Sequence, residues 1–319
     1  MRRLSAFMVS VFCLSVVIPL ETLRAEPILP PGATPKKLLD RGAGEGPVWH
    51  AQLGLLFSGD GDIGQLTRSG EHKVFRAGAG TNGLIFDRAG RLIACEHTGR
   101  RITRTEADGS IKVLVDRFEG ARFNSPNDLT LDSRGRIYFT DPRYGDRRDM
   151  EIKDAAGKLV EGVYRIDSNG SVTRIITHEV DRPNGLAITP DDKQLFVADN
   201  NNNAVGAARK LWRFDLRENG SIVPDSRKMV FDWGTSRGPD GIELDRKGRL
   251  FVAGGLNVAN PPAETTERKG GVYVLSQSGE LLEFIPIPRD EVTNVAFGGD
   301  DQQTLYITAG GTLWSVPVR

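Results

Sequence analysis

The sequence predicts an all-β fold, a six-bladed β-propeller of four-stranded blades around a central channel, and three observations predict it. Short apolar runs recur six times along the 319 residues, an Asp/Gly turn stands before five of them, and no long amphipathic helix interrupts the series. Four-stranded units that repeat in this way close radially.

The recurring runs occupy 54–57, 91–94, 136–139, 194–197, 249–252 and 304–307. The turns before the last five lie at 87–90, 132–135, 191–192, 245–248 and 298–301, and a further apolar triplet precedes each turn. Turn residues between two β-rich triplets are a hairpin signal. Downstream of the third, fourth and fifth runs come strand-like segments at 162–166, 211–214 and 271–275, each followed by a Gly-containing turn. The unit is therefore about four short strands, repeated at spacings of 37 to 58 residues.

Residues 1–25 stand apart from this series. Arg2 and Arg3 precede a nearly continuous apolar run from Leu4 to Leu20, and Ala25 closes the segment. That layout is a secretory leader, and the run is short for a membrane span. The expected organisation is a signal peptide over 1–25 and a six-bladed propeller domain over 26–319. Localisation is then periplasmic or secreted, with no stable membrane association after cleavage. Removing the leader takes Lys plus Arg from 42 to 39 and Asp plus Glu from 42 to 41. A near-neutral chain offers no electrostatic basis for binding nucleic acid. Only Cys95 remains, which excludes an intrachain disulfide and a cysteine-based metal site.

The repeat also serves as a ruler. Ten or eleven residues before the first apolar residue of each hairpin's second strand lie Glu45, Asn82, Asn127, Asn184, Asp240 and Asn294. Equivalent positions of successive blades form a ring around the axis, so six oxygen donors should encircle the channel. Such hard donors suit one divalent cation, calcium first, with magnesium also accommodated. The carboxylates of Glu45 and Asp240 would balance its charge. The simpler account is turn capping, since Asn and Asp before Gly form turns. It explains Glu45 poorly.

The stretches Glu45-Gly46-Pro47-Val48-Trp49, Phe123-Asn124-Ser125-Pro126-Asn127-Asp128, Tyr138-Phe139-Thr140-Asp141-Pro142-Arg143-Tyr144-Gly145, Arg182-Pro183-Asn184-Gly185-Leu186 and Pro239-Asp240-Gly241-Ile242 occur in this order. Over roughly 40–317 the chain resembles the gluconolactonase and regucalcin (senescence marker protein) family of six-bladed propellers. The resemblance implies a metal held by Glu45, Asn184 and Asp240, with Asn127 binding metal or substrate. It implies Asp240 as the base and marks the Asp141 position as catalytic in some relatives. Asn82 and Asn294 rest on the repeat and are expected to face substrate. Zinc and manganese join calcium and magnesium as ions such a site accepts.

The expected activity is metal-dependent hydrolysis of a small sugar lactone such as gluconolactone, a small-molecule partner. No Gly-x-Ser-x-Gly elbow is present, and the four histidines show no zinc-hydrolase spacing, which disfavours an acyl-enzyme and a zinc-protease chemistry. Two other readings stand beside it. A phosphotriesterase of the diisopropylfluorophosphatase type would use the same ring. A non-enzymatic ligand-binding propeller would need no carboxylates in its channel.

Overall fold

The structure, a computed structural model, describes residues 27–319. The leader expected over 1–25 lies outside the described residues. Six four-stranded antiparallel sheets follow one another around an axis. Blade 1 comprises β2 (Glu45–His50), β3 (Gly54–Gly59), β4 (Asp62–Leu66) and β5 (His72–Arg76). Blade 2 comprises β6 (Leu84–Phe86), β7 (Leu92–Glu96), β8 (Arg101–Thr105) and β9 (Ile111–Val115). A two-stranded ribbon, β10 (Arg117–Phe118) and β11 (Ala121–Arg122), leads to blade 3: β12 (Leu129–Leu131), β13 (Ile137–Asp141), β14 (Gly162–Ile166) and β15 (Val172–Ile176). Blade 4 is β16 (Pro183–Ile188), β17 (Gln194–Asn200), β18 (Arg209–Asp215) and β19 (Lys228–Asp232). Blade 5 is β20 (Ile242–Leu244), β21 (Leu250–Gly254), β22 (Gly271–Leu275) and β23 (Leu281–Pro286).

Blade 6 closes the ring with strands from both ends of the described chain. β24 (Val292–Gly298), β25 (Thr304–Ala309) and β26 (Thr312–Pro317) supply its inner three strands. The outer strand is β1 (Lys36–Leu39), with Lys36 opposite Ser315 and Lys37 opposite Trp314. The predicted six-bladed propeller is thus the observed fold.

Three of the hairpins between first and second strands, in blades 2, 3 and 5, share one local device. In Asp87, Asp132 and Asp245 one carboxylate oxygen accepts the N–H groups two and four residues on, at 2.8–3.0 Å. The other oxygen binds the arginine four residues on, Arg91, Arg136 or Arg249. Gly90, Gly135 and Gly248 each adopt φ +75°, which completes the turn without a Cβ penalty. Apolar clusters then fill the wedges between blades. Phe123, Phe139 and Tyr164, for example, pack within 5.5 Å centroid to centroid beside Cys95 and Ile102 of blade 2.

Candidate functional site

At one face of the propeller each residue that the ruler selected stands within two residues of the start of an inner strand, and the backbone there is fixed from two sides. The N–H of Asn82, Asn127 and Asp240 donates to the second strand of its own blade, to Cys95, Thr140 and Ala253 at 2.8–2.9 Å. The carbonyls of Asn127 and Asp240 accept the N–H of Gly83 and Gly185 from the preceding blade, at 2.7 and 3.1 Å. This close approach explains the Asn-Gly and Asp-Gly pairs. Gly83, Gly185 and Gly241 are not in the left-handed region, so they form no turn. A Cβ on Gly185 would lie 2.2 Å from the Asp240 carbonyl, and one on Gly241 would lie 2.2 Å from the Asn294 amide. Turn capping therefore does not account for them.

The side chains meet in the channel. Asn294 Nδ2 donates to Glu45 Oε2 at 3.3 Å and, across the axis, to Asp128 Oδ2 at 3.5 Å. Asp240 Oδ2 accepts from Asn200 Nδ2 at 3.4 Å and lies 4.0 Å from Arg237 Nη2. Asn184 Nδ2 donates to the Tyr144 hydroxyl at 2.9 Å. Asn127, Asn184, Asp240 and Asn294 are only 4–7% exposed. Among the six ring residues, two buried oxygens have no hydrogen-bond partner, Asp240 Oδ1 and Asn82 Oδ1. Burial without a partner is costly for a polar atom, and more so for a charge.

Three carboxylates share this space. Burial pushes Glu45 well above the ordinary carboxylate range, and the charges of Asp240 and Asp128 push it further. Burial pushes Asp128 up to about 7. Burial likewise pushes Asp240 up to about 7, against the pull of Arg237. Below them, where the channel continues as a cavity of about 360 Å³, loss of solvent pushes Glu243 up to about 8, and the charge of Asp128 adds to the rise. Among the described residues no three His, Cys, Asp or Glu side chains cluster as a metal site by themselves. A cation here would take amide oxygens as well. The donor chemistry fits one: mutually repelling carboxylates, plus the unpartnered Asp240 Oδ1, are compensated by a hard divalent ion.

Asp141 stands differently. It is fully buried, and its two oxygens accept the N–H groups of Asn124 at 2.8 Å and Ser125 at 2.7 Å. Asp199 of blade 4 does the same for Arg182 at 2.9 Å and Asp181 at 3.1 Å. In both blades the braced N–H groups lie three and two residues before the ring asparagine, Asn127 or Asn184. Arg122 and Arg143 are drawn into ion pairs with Glu151 and Asp149.

Sequence reasoning passed over Asp128, Tyr144, Asn200 and Arg237. Asp128 carried a signal, because the ruler places Gly at the same step in blades 1, 2, 4 and 5. The entrance is lopsided. Long connections over blades 3, 4 and 5 (142–161, 201–208, 255–270) share the ring's face, whereas blades 1, 2 and 6 carry only short turns there. Glu45 and Asn82, on blades 1 and 2, are accordingly the more exposed ring members.

The family model described as the SMP-30/gluconolactonase/LRE-like region matches residues 43–311. The chain belongs to this family. It is similar to a gluconolactonase of Zymomonas mobilis, 32% identical over 299 residues that cover 86% of this chain and 78% of that one. A pentonolactonase of Haloferax volcanii is 30% identical over 277 residues, 84% and 81% of the two chains. Among solved structures, a gluconolactonase from Xanthomonas campestris superposes with a TM-score of 0.72 at 33% identity, over 90% of each chain. The family's matched region contains all six ring residues, so the ring and the resemblance fall on the same part of the chain.

Proposed function

We propose that this chain hydrolyses a small sugar lactone to its hydroxy acid at the channel ring, with one divalent cation, calcium first, held by Glu45, Asn127, Asn184 and Asp240. The observation that carries the reading is the convergence of half-buried Glu45 with buried Asp128 and Asp240, with Asp240 Oδ1 left without a partner. The gluconolactonase and pentonolactonase relatives support the substrate class.

A divalent cation bound there supplies a charge that polarises an ester carbonyl and acidifies a water. The chain's own residues do the rest. Asp240 takes a proton from the attacking water, as a general base. The water oxygen bonds to the lactone carbonyl carbon, and the tetrahedral adduct collapses by breaking the bond to the ring oxygen. The proton held by Asp240 passes to that leaving oxygen, so one water is consumed and one hydroxy acid is formed. Asn82, Asn127 and Asn294 present amides to the hydroxyls of the substrate. Asp240 is the better base than Asp141, because both Asp141 oxygens are already engaged by backbone N–H groups. We also propose export, with residues 1–25 as the cleaved leader and the periplasm or exterior as destination.

The test is acid release from a panel of sugar lactones by the purified protein, before and after dialysis against a chelator. Hydrolysis that is lost on chelation and restored by calcium is expected. Full activity in metal-free protein contradicts the cation, and no hydrolysis of any lactone with calcium present contradicts the reaction.

A further inference from the structure

The run 138–145 contributes a side chain that the mechanism above leaves unused. Tyr144 lies in the long connection over blade 3, yet its hydroxyl reaches blade 4, where it accepts from Asn184 Nδ2 at 2.9 Å. Its own hydrogen goes to the Asn200 carbonyl at 3.4 Å, far longer than the 2.7–2.8 Å usual for O–H···O. That donor is thus only loosely engaged. Asn200 in turn holds Asp240 Oδ2 through its amide, so the hydroxyl sits in the wall beside the proposed base.

The phenol is also held firmly. The Arg182 guanidinium lies over its ring, 5.4 Å from the centroid. Arg182 is fixed by Glu161 at 3.1 Å, and the same carboxylate accepts the N–H of Arg143 at 2.6 Å, which anchors the backbone next to Tyr144. A locked side chain with a loosely used donor, placed beside a base, is a preorganised site for an oxygen that gains charge.

We propose that Tyr144 is a catalytic residue: its hydroxyl donates a hydrogen bond to a lactone oxygen that becomes negative during ring opening. The proposal rests on lactone hydrolysis at the ring. The phenol keeps its proton throughout.

Tyr144→Phe tests it, since the ring and its stacking on Arg182 are retained and only the hydroxyl is lost. Turnover, KM, calcium affinity by calorimetry and melting temperature are compared with the unaltered protein. Expected is a fall in turnover of about 10²–10³-fold, the usual cost of one oxyanion donor, with calcium affinity within about threefold and melting lowered only by the loss of the one hydrogen bond from Asn184. Unchanged turnover overturns the proposal. So does a loss of calcium affinity whose activity returns at saturating calcium, because Tyr144 would then only orient Asn184. An unaltered protein that hydrolyses no lactone overturns the underlying function and this proposal together. That result is visible before the variant is made.

Discussion

Asn294 spans the channel to reach Asp128, its amide nitrogen 3.5 Å from the carboxylate on the opposite blade. A neutral amide is a weak counterpart for a buried carboxylate that also faces Glu45. The cation-free protein should therefore respond to pH. Burial raises Asp128 and Asp240 from 3.8 in the unfolded chain to about 7 in the folded one. The folded state thus favours the protonated forms. Their contribution is fully present below about pH 4 and is lost as pH rises through about 7. Melting temperature measured in chelator should fall between pH 5 and pH 8, and added calcium should raise it more at pH 8 than at pH 5. An equal calcium effect at both values would contradict the shared acidic site.

The contact between Gly185 and the Asp240 carbonyl gives a steric prediction. Gly185→Ala places a Cβ where only 2.2 Å is available, so the head of blade 5 must shift. Overpacking of this kind costs about 1–3 kcal/mol or more, and here calcium affinity should fall as well. Gly135→Ala, in a turn on the opposite face at φ +75° with no atom nearby, should cost about 1–2 kcal/mol and leave calcium affinity unchanged. Denaturant unfolding and calorimetry on both variants separate the two effects.

The paired braces predict a shared phenotype. Asp141→Asn and Asp199→Asn each replace one charged acceptor of two backbone N–H groups with an amide. Each should lose about 1.5–3 kcal/mol of stability in urea unfolding, the usual worth of a hydrogen bond to a charged group. Their turnover at saturating calcium should fall to a similar, modest extent. A far larger loss in Asp141→Asn alone, with stability intact, would restore Asp141 as the base.

The parts of this molecule that repeat were legible in the sequence. The turns from Asp87 to Arg91, Asp132 to Arg136 and Asp245 to Arg249 carry their chemistry within five residues, so the hairpins they close could be read directly. The ring followed because one residue per blade sits at a fixed step from each hairpin. Outer strands such as β5 and β9 were not legible, since exposed positions like Val74 and Val113 break the alternation. β1 was not legible either, because its partner Ser315 lies at the other end of the chain. Tyr144, on the long connection over blade 3, and Arg237, on the link between blades 4 and 5, are held at the site by Glu161, Glu264 and Glu291, and no local pattern announces such contacts. Asp128 could have been found as the acidic residue where four other blades carry Gly.

The measurement that bears most directly on the account is turnover as a function of calcium concentration in Asp240→Asn and Glu45→Gln. Glu45→Gln removes a ring charge but leaves the Asp240 carboxylate intact, so its activity should largely return once calcium saturates the site. Asp240→Asn keeps a ligating oxygen and loses the base, and should stay slower by about 10²–10⁴-fold at any calcium concentration. Near-normal turnover of Asp240→Asn at saturating calcium would contradict the account, because Asp240 would then be a ligand only.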